Sequence, residues 1–383
     1  MKNKLLNLTI TLAMFTLLFF TNVNAMDTDN NTKTYKVNKG GTLVVKVDPG
    51  EVEVTTWDKA EIKITVRGLD EEEEEDLDIK QSGNTLTLKY DAYRGWSQGV
   101  DFLINAPKDF NYEINSSSGE IRINGEIKGY VDLLTMSGEI KLSDVQGNVD
   151  VKTYGGEIKT GNLNGRVALN TQGGDIRTGN IKTGPVKIET MGGEIRIRDV
   201  DSGLDVKTYG GEIEIGNIGG DADVVTYGGD IRVNNVAGSA NLDTYGGDIR
   251  LNSASGFVDV NTYGGDLTLY NITGSVDAKT AAGDIYVELN PTGKGRSRLE
   301  TSMGKVELVL PANAKADIEA EINIKGHYDY NRDFEIKSDF KAETQNNSKS
   351  RKEIYATYKL NGGGEKILIK TVNSDIEIRK AKK

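Results

Sequence analysis

The feature that most constrains this chain is a short turn repeated at nearly constant spacing. Its last Gly stands at Gly119, Gly138, Gly156, Gly174, Gly193, Gly211, Gly229, Gly247, Gly265 and Gly283, in steps of 19, 18, 18, 19, 18, 18, 18, 18 and 18 residues. Tyr209-Gly210-Gly211-Glu212-Ile213-Glu214-Ile215-Gly216-Asn217-Ile218 is a clear copy. A period this short means a solenoid, each repeat one coil laid on the last.

Counting each coil from that Gly, position one is acidic in all ten copies: Glu120, Glu139, Glu157, Asp175, Glu194, Glu212, Asp230, Asp248, Asp266 and Asp284. Position two is Ile or Leu, and position four is usually apolar. Such alternation is a strand with Ile inward and the acid outward. Position six is Asn in half of the coils, as at Asn162, Asn180, Asn217, Asn235 and Asn271. A second strand points Val149 and Val151, or Val258 and Val260, inward and ends in a recurrent Thr, such as Thr153, Thr226 and Thr262. The expectation is an all-β chain, a β-solenoid (β-helix-like) of 18-residue coils. Each coil has two strands and two corners; strands run parallel and in register, with irregular β caps at both ends. Ten coils at the parallel strand spacing would span about 45–50 Å. Both longer steps, near Gly125–Gly129 and at Thr183-Gly184-Pro185, fall in corners.

The chain begins with a targeting pattern. Lys2 and Lys4 precede an apolar run from Leu5 to Phe20, and Val23-Asn24-Ala25 offers small residues for cleavage. Residues 1–25 are therefore expected to be a signal peptide, with no membrane-spanning segment after its removal. The product would be exported: periplasmic, on the cell surface or secreted. Removing two Lys and no acid leaves 45 − 58 = −13, against −11 for the whole chain. That balance argues against a nucleic-acid partner. The chain has no Cys, which excludes disulfides, thiolate metal sites and a Cys nucleophile.

The expected division is a disordered linker over 26–34, an N-terminal β cap with irregular coils over 35–115, regular coils over 116–310, and a C-terminal β cap over 311–383. Gly50-Glu51-Val52-Glu53-Val54 already has the repeat form, and Asn373-Ser374-Asp375-Ile376-Glu377-Ile378 returns to it. Residues 326–352 read as a cap loop. Caps are expected because an open coil end is an unpaired sheet edge. The acidic run Asp70–Asp76 reads as a solvated turn.

Several of these stretches resemble a known family. Gly41-Thr42-Leu43-Val44-Val45, then Gly50-Glu51-Val52-Glu53-Val54 and Trp57-Asp58, are similar to the opening of the DUF4097 adhesin family. Leu310-Pro311-Ala312 and Thr371-Val372-Asn373-Ser374-Asp375-Ile376 are similar to its close, so the resemblance spans about residues 35–380. It implies a β-solenoid-like domain of the bacterial envelope and supplies no catalytic residues.

The chemistry-bearing residues read mostly as structural. Ten stacked acids could line Ca²⁺ sites. However, position three is basic in seven coils (Arg122, Lys141, Lys159, Arg177, Arg196, Arg232 and Arg250), on the same strand face. Interleaved ladders of opposite sign neutralise each other. The Asn ladder is expected to hydrogen-bond along the stack. His327, the only His, has no partner for a metal centre or triad. No catalytic residue, cofactor or metal is expected, and the chain reads as no enzyme. The candidate binding stripe is Tyr209, Tyr227, Tyr245 and Tyr263, outward at the Gly-Gly corner of four consecutive coils and interrupted elsewhere at Gln172, Met191 and Ala281. Its alternative role is to stabilise the corner. Two functions follow: a non-enzymatic adhesin or binding scaffold that presents a flat face to envelope glycan or surface protein, or a structural or signalling-associated envelope protein acting through self-assembly or sensing.

Overall fold

A computed structural model describes residues 32–69, 73–91, 99–292, 295–325, 334–346 and 352–382. The expected signal peptide, most of the expected linker, and His327 lie outside these residues. The end of the linker is not irregular: Thr32–Lys36 is a strand, paired antiparallel with Glu61–Arg67. It lies over the N-terminal end with little burial, so its residues carry no apolar period to reveal it.

The chain is a β-solenoid of parallel, in-register strands. The first strands of successive coils place Ile140, Ile158, Ile176, Ile195, Ile213, Ile231, Ile249, Leu267, Ile285 and Val306 in one column of direct partners. The second strands align Val131, Val149, Val167, Val186, Leu204, Ala222, Ala240, Val258 and Val276. Both columns are buried. Period-two alternation fixes this register, because a slip of one residue would bury the acids and expose the isoleucines.

Each coil has one more turn of shape than two strands and two corners. Positions five and six both face outward, so alternation breaks and position seven turns inward on a short third face. Ile127–Lys128, Val145–Gln146 and Leu163–Asn164 pair there. Single bridges then carry the column through Ile181, Val200 and Ile218. In the Gly211 coil the inward set is Ile213, Ile215, Ile218, Ala222, Val224 and Thr226, all buried.

The buried Thr joins one coil to the next. Thr226 Oγ1 donates to the Gly211 carbonyl at 2.9 Å and accepts from Gly229 N at 3.3 Å. The same pair of bonds recurs at Thr153, Thr208, Thr244 and Thr280. The hydroxyl thus satisfies two backbone groups at a corner where no ladder bond reaches them. The invariant Gly has a steric cause. A Cβ on Gly229 would lie 2.1 Å from the Gly211 carbonyl oxygen, closer than any side chain tolerates. At the preceding Gly228 the nearest atom is 3.3 Å away, which is tight but not excluded. Other coils place Ser137, Ala282 or Met303 there.

At both ends the order of coils along the stack departs from the order along the chain. The first coil, Thr42–Asp48 and Glu51–Trp57, lies second in the stack. Thr85–Asp91 and Asp101–Pro107 lie outside it, and Asn111–Ser116 and Ile121–Asn124 inside. The final coil, Glu365–Val372 and Ile376–Lys380, is likewise inserted between Arg296–Leu310 and the later-stacked Ala316–Asn323 and Ile336–Ser338. Antiparallel strands then cover the ends. Leu77–Ser82 and Glu61–Arg67 do so at one end, Glu353–Leu360 at the other. Such covering removes a parallel edge that would template further strands.

Candidate functional site: the tyrosine ladder and its flanking surfaces

Thr208, Thr226, Thr244 and Thr262 point inward, so the next residue of each coil points outward. That residue is Tyr209, Tyr227, Tyr245 or Tyr263. Stacking of the coils brings the four rings face to face, with centroids 4.9, 5.0 and 5.0 Å apart and planes inclined by 4, 12 and 16°. They remain 46, 39, 54 and 63 % exposed, so an unbroken aromatic stripe runs along the surface. Lys207 Nζ lies 4.7 Å from the Tyr209 ring centroid and 5.6 Å from that of Tyr227, a cation over the start of the stripe.

The stacking also limits what the stripe offers. Both faces of Tyr227 and Tyr245 are taken by neighbouring rings, which leaves their edges and hydroxyls for a ligand. Only the outer faces of Tyr209 and Tyr263 end the stack. Beyond Tyr209 comes the exposed Met191; beyond Tyr263 comes the small Ala281. Tyr263 is accordingly the most exposed ring of the four.

The acids of position one are engaged in two ways. Lys141 bridges Glu120 and Glu139 at 3.0 and 2.7 Å, and Lys159 bridges Glu139 and Glu157 at 2.8 and 2.6 Å. Desolvation raises the Glu139 carboxyl, but hydrogen bonds from Lys141 and Lys159 outweigh it and hold the group below its usual range. In later coils, Asp248 and Asp266 accept the backbone N–H of Asp266 and Asp284 at 2.8 and 2.7 Å. Among the described residues no cluster of three or more His, Cys, Asp or Glu has the arrangement of a metal site. The position-six side chains bond along the stack: Asn217 Nδ2 donates to Asp199 Oδ1 at 2.8 Å and Asn235 Nδ2 to Asn217 Oδ1 at 2.5 Å. Of the acidic run, Glu73–Asp76 forms a 3₁₀ turn and residues 70–72 lie outside the described residues.

The repeat conceals a second surface feature. A shallow trough of about 630 Å³ crosses the outer face of the first strands, lined by Arg196, Arg198, Glu214, Arg232, Asn234 and Arg250 among others. Its signal in the sequence is a local break of pattern: Glu214 stands among basic position-three residues, and Gly216 leaves position five without a side chain.

Among the described residues no helix is long and apolar enough to cross a membrane. No curated protein matches the chain. Solved structures with detectable likeness include a "putative adhesin" from Parabacteroides merdae, 15 % identical, covering 64 % of this chain and 94 % of its own, with a TM-score of 0.32. Another "putative adhesin", from Bacteroides fragilis, is 11 % identical, with coverage of 91 and 95 % and a TM-score of 0.23. A "putative lipid binding protein" from Parabacteroides distasonis is 15 % identical, with coverage of 73 and 95 % and a TM-score of 0.22. The Toastrack DUF4097 family matches residues 41–215, 162–256 and 220–379, nearly the whole described solenoid, and the chain belongs to that family.

Proposed function

We propose that the chain is a non-enzymatic, exported binding scaffold that docks glycan of the cell envelope along its tyrosine ladder. The observation that carries this reading is the exposure of four stacked rings in consecutive coils. The spacing presents a phenolic hydroxyl about every 5 Å on a rigid frame, a repeating donor and acceptor row that suits a repeating polymer. The open face of Tyr263 adds one platform on which a sugar ring can stack. Export rests on the Lys2, Lys4 and Leu5–Phe20 pattern. Antiparallel strands over both terminal coils weigh against growth by end-to-end association, and so favour binding over self-assembly.

The test uses immobilised neutral envelope polysaccharides. Changing Tyr209, Tyr227, Tyr245 and Tyr263 together to Ser should reduce binding at least tenfold while the circular dichroism stays that of a β protein. The same four changed to Phe keep the ring stack and remove the hydroxyls, which separates hydroxyl readout from ring stacking. Unchanged binding by the folded Ser variant overturns the ladder as a docking face.

A further inference from the structure

We infer that the trough over Gly216 is a second binding site, distinct from the tyrosine ladder, for a carboxylate-bearing acidic polysaccharide. The first strands bring Arg177, Arg196, Glu214, Arg232 and Arg250 into one outward column, with Arg196 opposite Glu214, Glu214 opposite Arg232, and Arg232 opposite Arg250. Most of these charges are already answered. Arg177 meets Glu157 and Asp175 at 3.2 and 2.7 Å, and Arg232 meets Glu212 and Asp230 at 2.7 and 2.6 Å. Arg196 meets Glu194 at 2.8 Å and Glu214 at 3.6 Å.

Two guanidiniums are not answered in this way. Arg198, exposed at position five, has no carboxylate partner among the described residues, and its neighbours in that column are Gly179 and Gly216, which have no side chains. Arg250 has no carboxylate partner among them either; it lies 4.8 Å from the Tyr270 ring centroid. The two stand three coils apart, roughly 14 Å at the parallel strand spacing.

A third group in the trough points the same way. In these ladders the amide of one coil donates to the coil before it: Asn235 to Asn217, Asn241 to Asp223, Asn261 to Asp243, and Asn252 to Asn234. The same polarity directs the Asn234 amide N–H toward position five of the preceding coil. That position is Gly216, where no side chain can take it. The trough therefore holds an open amide donor between two guanidiniums that lack carboxylates.

The charge pattern selects among anions. Acids of position one flank the trough throughout, and the whole chain carries −11. A dense polyanion such as nucleic acid would meet that acidic border along its length. A glycan with carboxylates set apart by neutral sugar would not. Its carboxylates can take the Arg198 and Arg250 forks, and its hydroxyls the Asn234 and Asn252 amides.

Polygalacturonate is a suitable probe, with dextran and double-stranded DNA as comparators, measured by calorimetry at low and physiological salt. The protein is expected to bind polygalacturonate and neither comparator. The double variant Arg198→Ala, Arg250→Ala should lose tenfold or more in affinity. Its melting temperature should hold, because neither side chain is in an ion pair among the described residues. Arg198→Lys should restore part of the affinity in that background. Absence of polygalacturonate binding, equal binding of DNA or dextran, or undiminished binding by the folded double variant each overturns the proposal. The tyrosine variants leave the trough intact, so failure of either site leaves the other to be judged on its own result.

Discussion

The coils from Gly119 to Gly174 and those from Gly229 to Gly283 share one backbone and carry different surfaces. In the earlier coils Glu at position one reaches sideways to Lys or Arg of its own coil and the next, giving a continuous run from Glu120 through Lys141, Glu139, Lys159 and Glu157 to Arg177. In the later coils Asp is one methylene shorter and turns onto the backbone. Asp230, Asp248 and Asp266 each accept the position-one N–H of the following coil, at 2.9, 2.8 and 2.7 Å. Asp175 and Asp230 do both, holding Arg177 and Arg232 with the other oxygen. The stacked tyrosines run from the Gly211 coil into these later coils. One charge at one position thus serves as a surface ion pair or as a corner brace, and side-chain length decides which.

If the backbone is common to both halves, breaking its tightest contact should cost the same in each. Gly156→Ala would place a Cβ 1.9 Å from the Gly138 carbonyl oxygen, and Gly247→Ala would place one 2.0 Å from that of Gly229. Each overlap is with backbone and can be relieved only by separating coils, so about 3 kcal/mol or more is expected in urea unfolding. The control is Gly246→Ala, whose Cβ would have 3.6 Å of clearance. It should change stability by less than about 1 kcal/mol. A large difference between Gly156→Ala and Gly247→Ala would show that the two halves do not share a rigid frame.

The second effect should separate the halves. Asp248→Ala removes a charged acceptor from the Asp266 N–H, and about 1–2 kcal/mol is expected. Asp248→Asn keeps an acceptor oxygen of the same reach and should recover most of that loss. Asp248→Glu should not, because the longer side chain carries the carboxylate past the corner. Equal stability of the Glu and Asn variants would remove chain length as the cause of the division.

What repeats was legible in the sequence. The Ile columns, the inward Thr and the outward Tyr each follow from counting by two from a recurrent Gly, and the register places them as counted. The third face was not, because it rests on two consecutive outward residues, such as Gly216 and Asn217, that interrupt the count. Nor was the insertion of the last coil between earlier ones. Asn373–Ile378 carries the repeat motif, but a motif reports which residues face inward and not which coil lies beneath. The Arg198 trough escaped for a related reason: its meaning lies in what Gly179 and Gly216 lack, and it appears only when coils are laid side by side. The tyrosine stripe was visible as a column, but the mutual covering of its ring faces required the measured planes.

The smallest effect sharpens the comparison most, because it depends on the solvent. Glu139→Gln removes a carboxylate that Lys141 and Lys159 both hold on a partly exposed surface. Such pairs are worth up to about 1 kcal/mol, so the loss should be no larger. Salt should erase it, since the screening length falls to about 3 Å at 1 M ionic strength. Acid should erase it as well, and the sign follows from the depressed carboxyl of Glu139. A carboxylate held below its unfolded range stabilises the fold above the unfolded pKa of about 4.3, and the contribution fades as pH falls through the lower folded value. Wild type and Glu139→Gln should therefore differ at pH 7 and low salt and converge below about pH 4. The Asp248→Ala deficit should survive high salt, because its bond to a backbone N–H is local and less screened. If salt weakens both deficits equally, the later acids act as surface ion partners like the earlier ones, and the division between brace and ion pair fails.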